Sequence, residues 1–157
     1  MRIIGIDPGT GILGFGIIEI DSKRKAQLVD AGVIRTPVKE DDAIRLMTIY
    51  EELSDIITQT KPDHMAVEKL FFAQNVTTAM TVAQARGVVL LAGKQADLTI
   101  HEYTPLQIKQ TLTGYGRADK KQMQEMVKVI LGLKEVPKPD DCADAIATAL
   151  CHAQSMR

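Results

Sequence analysis

The chain has 157 residues, 45 % of them apolar and 25 % charged, and a net charge of −1. That length suits one domain with a real core. The balance excludes nucleic-acid binding through overall charge, so any basic surface must be local.

Asp7 interrupts the only early apolar run, so no signal peptide is read. The other apolar runs fall short of a membrane span. Cys142 and Cys151 share one predicted helix and stand ~13 Å apart along it, too far for a disulfide within that helix. Free thiols suit a reducing cytoplasm. The pair Cys151-His152 reads as a core cysteine and a surface histidine, since two adjacent ligands without a second pair are a weak metal signal.

The stretch IGIDPGTGILGFGII predicts a buried strand over 2–7, a Pro8-Gly9 turn in which glycine takes a positive φ, and an antiparallel return over 13–20. Asp7 either starts the turn or, as a carboxylate at the end of a buried strand, meets a cation. A third strand follows over 26–36 after the charged tip at 21–25. From Asp41 a helix presents Ala43, Leu46, Met47, Tyr50, Leu53 and Ile57 on one face and stops before Lys61-Pro62. A fourth strand (63–68) ends on Glu68. The helix over 75–94 is apolar nearly all round, which predicts burial on two sides and a subunit interface. A fifth strand (98–103), a short helix, a Gly-Tyr-Gly loop and an amphipathic helix lead to Pro137 and Pro139. These launch the last helix, DDCADAIATALCHAQ. The order predicts a three-layer α/β domain with a mixed five-stranded sheet and helices on both faces, the fourth and fifth strands parallel to the first.

Sites in such sheets form at the carboxyl ends of the parallel strands, where Asp7 and Glu68 stand. The last helix adds Asp141 and Asp144 on one face. Alone, these acids read as helix-start residues, with Asp140 as the N-cap. With Asp7 and Glu68 they read as a metal site. Crowded carboxylates need cations to stay ionised together, and oxygen-only ligands select Mg²⁺ or Mn²⁺. Two such ions form the clamp used for displacement at phosphorus. The three histidines look scattered.

Between Thr104 and Lys128, five basic residues stand against two acidic ones. Lys109, Arg117, Lys120 and Lys121 bracket the Gly-Tyr-Gly loop and read either as phosphate contacts or as a solvated helix face. Of Phe71 and Phe72, Phe71 is the one expected to be exposed, placed to stack on an unpaired base. Arg86 serves either the subunit interface or, as a DNA-binding residue, the backbone of a DNA strand.

The stretches GIDPGT, AVEKLFFAQN, QARG, IKQTLTGYGRADKKQ and DDCADAIATAL occur in this order over nearly the whole chain. On them the chain resembles the bacterial Holliday-junction resolvase family, RuvC. The resemblance implies a single RNase H-like nuclease domain over 1–157, a cytoplasmic homodimer, and paired symmetric nicks on four-way junctions that leave 5′-phosphate and 3′-hydroxyl ends. It implies Asp7, Glu68, Asp141 and Asp144 as ligands of two Mg²⁺, Phe71 at the base-stacking position, and Lys109 and Lys120 at phosphate-contact positions. It also implies work with a branch-migration complex, RuvA and RuvB. Some relatives carry His at the position of Asp141. The alternatives are a non-catalytic junction-binding scaffold and an actin-like phosphotransferase, which needs a second lobe.

Overall fold

A computed structural model describes residues 1–69 and 76–156. Phe71 and Phe72 therefore lie outside the described residues. The apolar run before Asp7 forms β1 (Arg2–Asp7), and the return forms β2 (Ile12–Ile20), paired antiparallel with Ile6 opposite Phe15. β3 (Ala26–Arg35) extends the meander. β4 (His64–Glu68) and β5 (Thr99–Tyr103) join on the other edge, each parallel to its inner neighbour, giving the order β3-β2-β1-β4-β5. This is the mixed five-stranded sheet expected.

Side chains alternate across a strand. Ile4, Ile6, Leu13, Phe15, Ile17, Met65 and Val67 therefore face one layer, made of α1 (Asp42–Thr60) and α2 (Val76–Gln95). Ile3, Ile18 and Ala66 face the other, made of α3 (Pro105–Thr113), α4 (Lys120–Leu131) and α5 (Asp140–Ser155). Thr104 and Gln107 form a capping box at α3, as Asp119 and Gln122 do at α4. Each box satisfies two amide donors that the helix start leaves open, so these boxes decide where Lys109 and Lys120 stand.

Several expectations need correction. Gly9 does not take a positive φ; among the described residues only Gly114 and Gly132 do so among glycines. Gly9 is needed for space instead, since a β-carbon there would lie 2.1 Å from the Ile12 carbonyl oxygen. The buried face of α1 is rotated from the expected one. Ile49, Leu53 and Ile57 are buried, with Leu46, Tyr50 and Ile56 packed beside them, while Met47 and Ala43 are exposed. Two apolar stripes three or four residues apart share Leu53 and Ile57, and contact with β-sheet side chains selects the one through Ile49.

Asp140 is not the N-cap of α5. Pro139 holds that position, and the Asp140 carboxylate accepts from Gln124 and pairs with Lys120. His152 is fully buried rather than on the surface, and the three histidines meet. Burial first, then His101 and His64, hold its imidazole down to about 4, so the ring is neutral.

α2 buries only one side within the chain, through Ala79, Ala85, Val89, Ala92 and Gly93. Val76, Met80 and Leu91 are exposed, and a β-carbon on Gly87 would meet nothing. By length and composition α2 is apolar enough to cross a membrane, contrary to the sequence reading. It packs instead on the sheet: Gly93 leaves room for Met65 and Ile100.

Candidate active site

β1 and β4 run parallel with Ile6 opposite Val67. The next residues, Asp7 and Glu68, thus leave the sheet side by side on the face covered by α5. Three glycines on that face bring α5 down onto the strands. A β-carbon on Gly5 would stand 2.0 Å from the Ala145 carbonyl oxygen, and one on Gly16 would stand 2.4 Å from Ile146 Cγ1. Gly14 does the same beneath Asp141. Bare backbone alone admits a helix this close. The first two turns of α5 therefore bring Asp141 and Asp144 over the strand ends.

Burial and neighbouring charge shift the titration of Asp7, Glu68 and Asp144. Burial pushes Asp7 up to about 8, with Glu68, Asp144 and Asp141 adding repulsion and a hydrogen bond donated to Glu68 holding its proton. Glu68 is raised by burial and then by Asp144, against the pull of Asp7, Lys109 and Lys120. Asp144 is also raised, by burial, although Lys120 opposes this. Such a set resists full ionisation until positive charge arrives.

Lys120, the first residue of α4, supplies some of that charge. Its Nζ stands 3.5 Å from Asp144 Oδ2 and 3.3 Å from Asp140 Oδ2. Lys109 on α3 faces the same cleft of about 240 Å³, which Glu68, Pro105, Ile108, Lys120, Met123, Asp144 and Ala147 also line. Arg117 and Lys121 are exposed on the loop and first turn beside it. Arg86 is not brought to the cluster. It lies on α2, on the opposite face, and its guanidinium is bound to Glu102 of β5. The glycines under α5 were present in the sequence as an alternation in β1 and β2, but their partner helix was not readable from them.

A family model described as crossover junction endodeoxyribonuclease RuvC matches residues 3–152. The chain belongs to the RuvC family. The protein of that name from Heliobacterium modesticaldum is 55 % identical over 156 residues, covering 99 % of this chain and 96 % of that one. The structure of Thermus thermophilus RuvC superposes with a TM-score of 0.93 at 38 % identity, covering 100 % of this chain and 96 % of that one. T. thermophilus RuvC in complex with Holliday junction substrate gives 0.94 at the same identity, over 100 % and 95 %. The fold is thus the RNase H-like one that RuvC proteins share, and the chain is a RuvC-type nuclease of a metal-dependent family.

Proposed function

We propose that the chain is a Mg²⁺-dependent endonuclease that resolves four-way Holliday junctions by paired symmetric nicks, leaving 5′-phosphate and 3′-hydroxyl ends. The observation that carries the reading is the convergence of four carboxylates under the start of α5, with Asp7 raised to about 8. The donor set is oxygen only, half-buried, and short of positive charge, which fits hard divalent ions. Asp7, Glu68, Asp141 and Asp144 would hold two Mg²⁺, with Mn²⁺ able to substitute. When bound, the ions supply an activated water and charge neutralisation at the leaving 3′ oxygen.

The chain's own residues prepare this reaction. The carboxylates repel a phosphodiester in the absence of cations, so DNA engages productively only at a loaded site. Lys109 and Lys120 hold phosphate oxygens at the cleft, and Arg117 and Lys121 extend the contact along the backbone. Phe71, outside the described residues, follows Glu68 by three positions and stacks on an unpaired base. Arg86 tethers α2 to β5. The protein works as one nuclease domain per subunit. The exposed apolar side of α2, around Met80 and Leu91, joins two subunits. Two active sites about a two-fold axis then match the symmetry of a four-way junction. The homodimer acts in the cytoplasm with the branch-migration proteins RuvA and RuvB, and its free cysteines suit that compartment.

The test is cleavage of a synthetic mobile four-way junction beside a linear duplex of the same sequence, with Mg²⁺ or EDTA, for the wild type and Asp7→Asn. Paired nicks in the junction only, with metal only, and lost in the variant are expected. Tight junction binding without nicks would return the scaffold reading.

A further inference from the structure

α5 carries oxygen ligands at its start and a nitrogen cluster at its end. His64 opens β4, His101 lies on β5 and His152 lies in the last turn of α5; each offers a ring nitrogen, and all three nitrogens lie within 4.8 Å of one another. His64 Nδ1 and His152 Nε2 are 2.9 Å apart, and the rings of His101 and His152 have centroids 4.4 Å apart. We propose that His64, His101 and His152 form a second metal site, for a borderline transition-metal ion with Zn²⁺ foremost, at the end of the sheet away from the carboxylates.

Three features favour an ion over a hydrogen-bonded histidine cluster alone. First, imidazole nitrogens select Zn²⁺ and its neighbours, whereas the carboxylates at the other end of α5 select hard ions. Second, the outer partner is present. A metal-bound histidine almost always gives its other N–H to an acceptor, and His152 Nδ1 lies 2.7 Å from the Tyr103 hydroxyl. Third, the geometry needs little change. Bond lengths of about 2.0–2.1 Å put tetrahedral nitrogens about 3.3 Å apart, so the His64–His152 pair opens slightly and His101 turns inward. No side-chain hydrogen bond holds the His101 ring among the described residues.

The proton count balances. The proton now shared between His152 Nε2 and His64 Nδ1 is replaced by the ion. His152 carries a proton on Nδ1 instead, donated to Tyr103 Oη, whose own hydroxyl proton turns outward. His101 borders solvent, so the fourth position takes water, and three neutral ligands hold the ion without an oxidant or other reactant.

Zn²⁺ competition with a chromophoric chelator, in excess Mg²⁺ to occupy the carboxylates, tests this on the full chain. One Zn²⁺ per chain is expected for the wild type. His101→Ala and His64→Gln, both away from the carboxylates, should each weaken it at least tenfold, and Tyr103→Phe by about 10–100-fold. Unchanged metal-free melting temperatures and circular dichroism identify variants that fold. If the wild type cannot compete with the chelator, or if folded His101→Ala and His64→Gln keep its affinity, the proposal is overturned. Junction cleavage does not enter this readout, so its outcome is separate from that of the nuclease reading.

Discussion

Gly14 lies directly beneath Asp141: a β-carbon on the glycine would stand 2.1 Å from the Asp141 carbonyl oxygen and 3.0 Å from its Cβ. The obstacle is backbone, which cannot rotate away as a side-chain end can. Gly14→Ala is therefore expected to lift the start of α5, costing about 1–3 kcal/mol of stability as overpacking does. Cleavage at saturating Mg²⁺ should fall at least tenfold. Denaturant unfolding together with single-turnover cleavage checks both, and a variant with full activity would show that α5 can shift without moving its acids.

Asp7 is a second target, because its charge works against the metal-free fold. Its folded pKa of about 8 lies above the usual 3.8, so its neutral form is favoured on folding. Stability from this group is thus present below pH 3.8 and lost as pH rises through 8. In EDTA, Asp7→Asn should be more stable than wild type at pH 8, and the gap should shrink toward pH 4. With saturating Mg²⁺ the gain should vanish while cleavage stays about a thousandfold or more below wild type. Thermal melts across pH, with and without metal, provide the measurement.

The lysines divide by position. Lys121 is exposed and has no carboxylate within ion-pair distance among the described residues, whereas Lys120 lies between Asp140 and Asp144. Lys121→Ala should weaken junction binding and reduce the salt slope by about 1 with kcat unchanged. Lys120→Ala should lower kcat as well. Titrations over salt concentration and saturation kinetics separate the two, and identical profiles would count against distinct roles.

For the exposed side of α2, Leu91→Glu places an unpaired charge where the partner subunit is expected. An uncompensated charge in an interface costs about 2–5 kcal/mol, so the protein should run as a monomer by light scattering. Junction strands should then be nicked singly rather than in pairs. A variant that stays dimeric would move the interface elsewhere.

Much of the fold was readable because it follows local rules. Alternating apolar residues marked the meander, and Pro62 and Pro139 bounded helices. Acids at strand ends stood out because a buried carboxylate has few bland explanations. Long-range features were less accessible. Asp140 looks like an N-cap from its neighbours, but Lys120 and Gln124, far away in sequence, draw its carboxylate elsewhere. His64, His101 and His152 share no spacing, and only the pairing of β4 with β5 and the end of α5 unite them. Arg86 in an apolar helix reads as an interface or DNA contact because its partner Glu102, on β5, carries no local mark. Both capping boxes, by contrast, are local signals, with a Gln three residues after Thr104 and after Asp119.

The glycine floor under α5 also bears on how this protein tolerates change. Where a helix rests on side chains, a core substitution elsewhere tilts it and carries its residues along. Here Gly5 and Gly14 meet the helix at main-chain carbonyls, so the separation between the strand-end acids and the helix acids is set largely by atoms that every sequence shares. Substitutions in the α1 and α2 layer can accumulate and alter stability while the spacing of the four carboxylates stays constant. The same floor leaves little room beneath α5, which favours adaptation to a substrate by groups other than this helix.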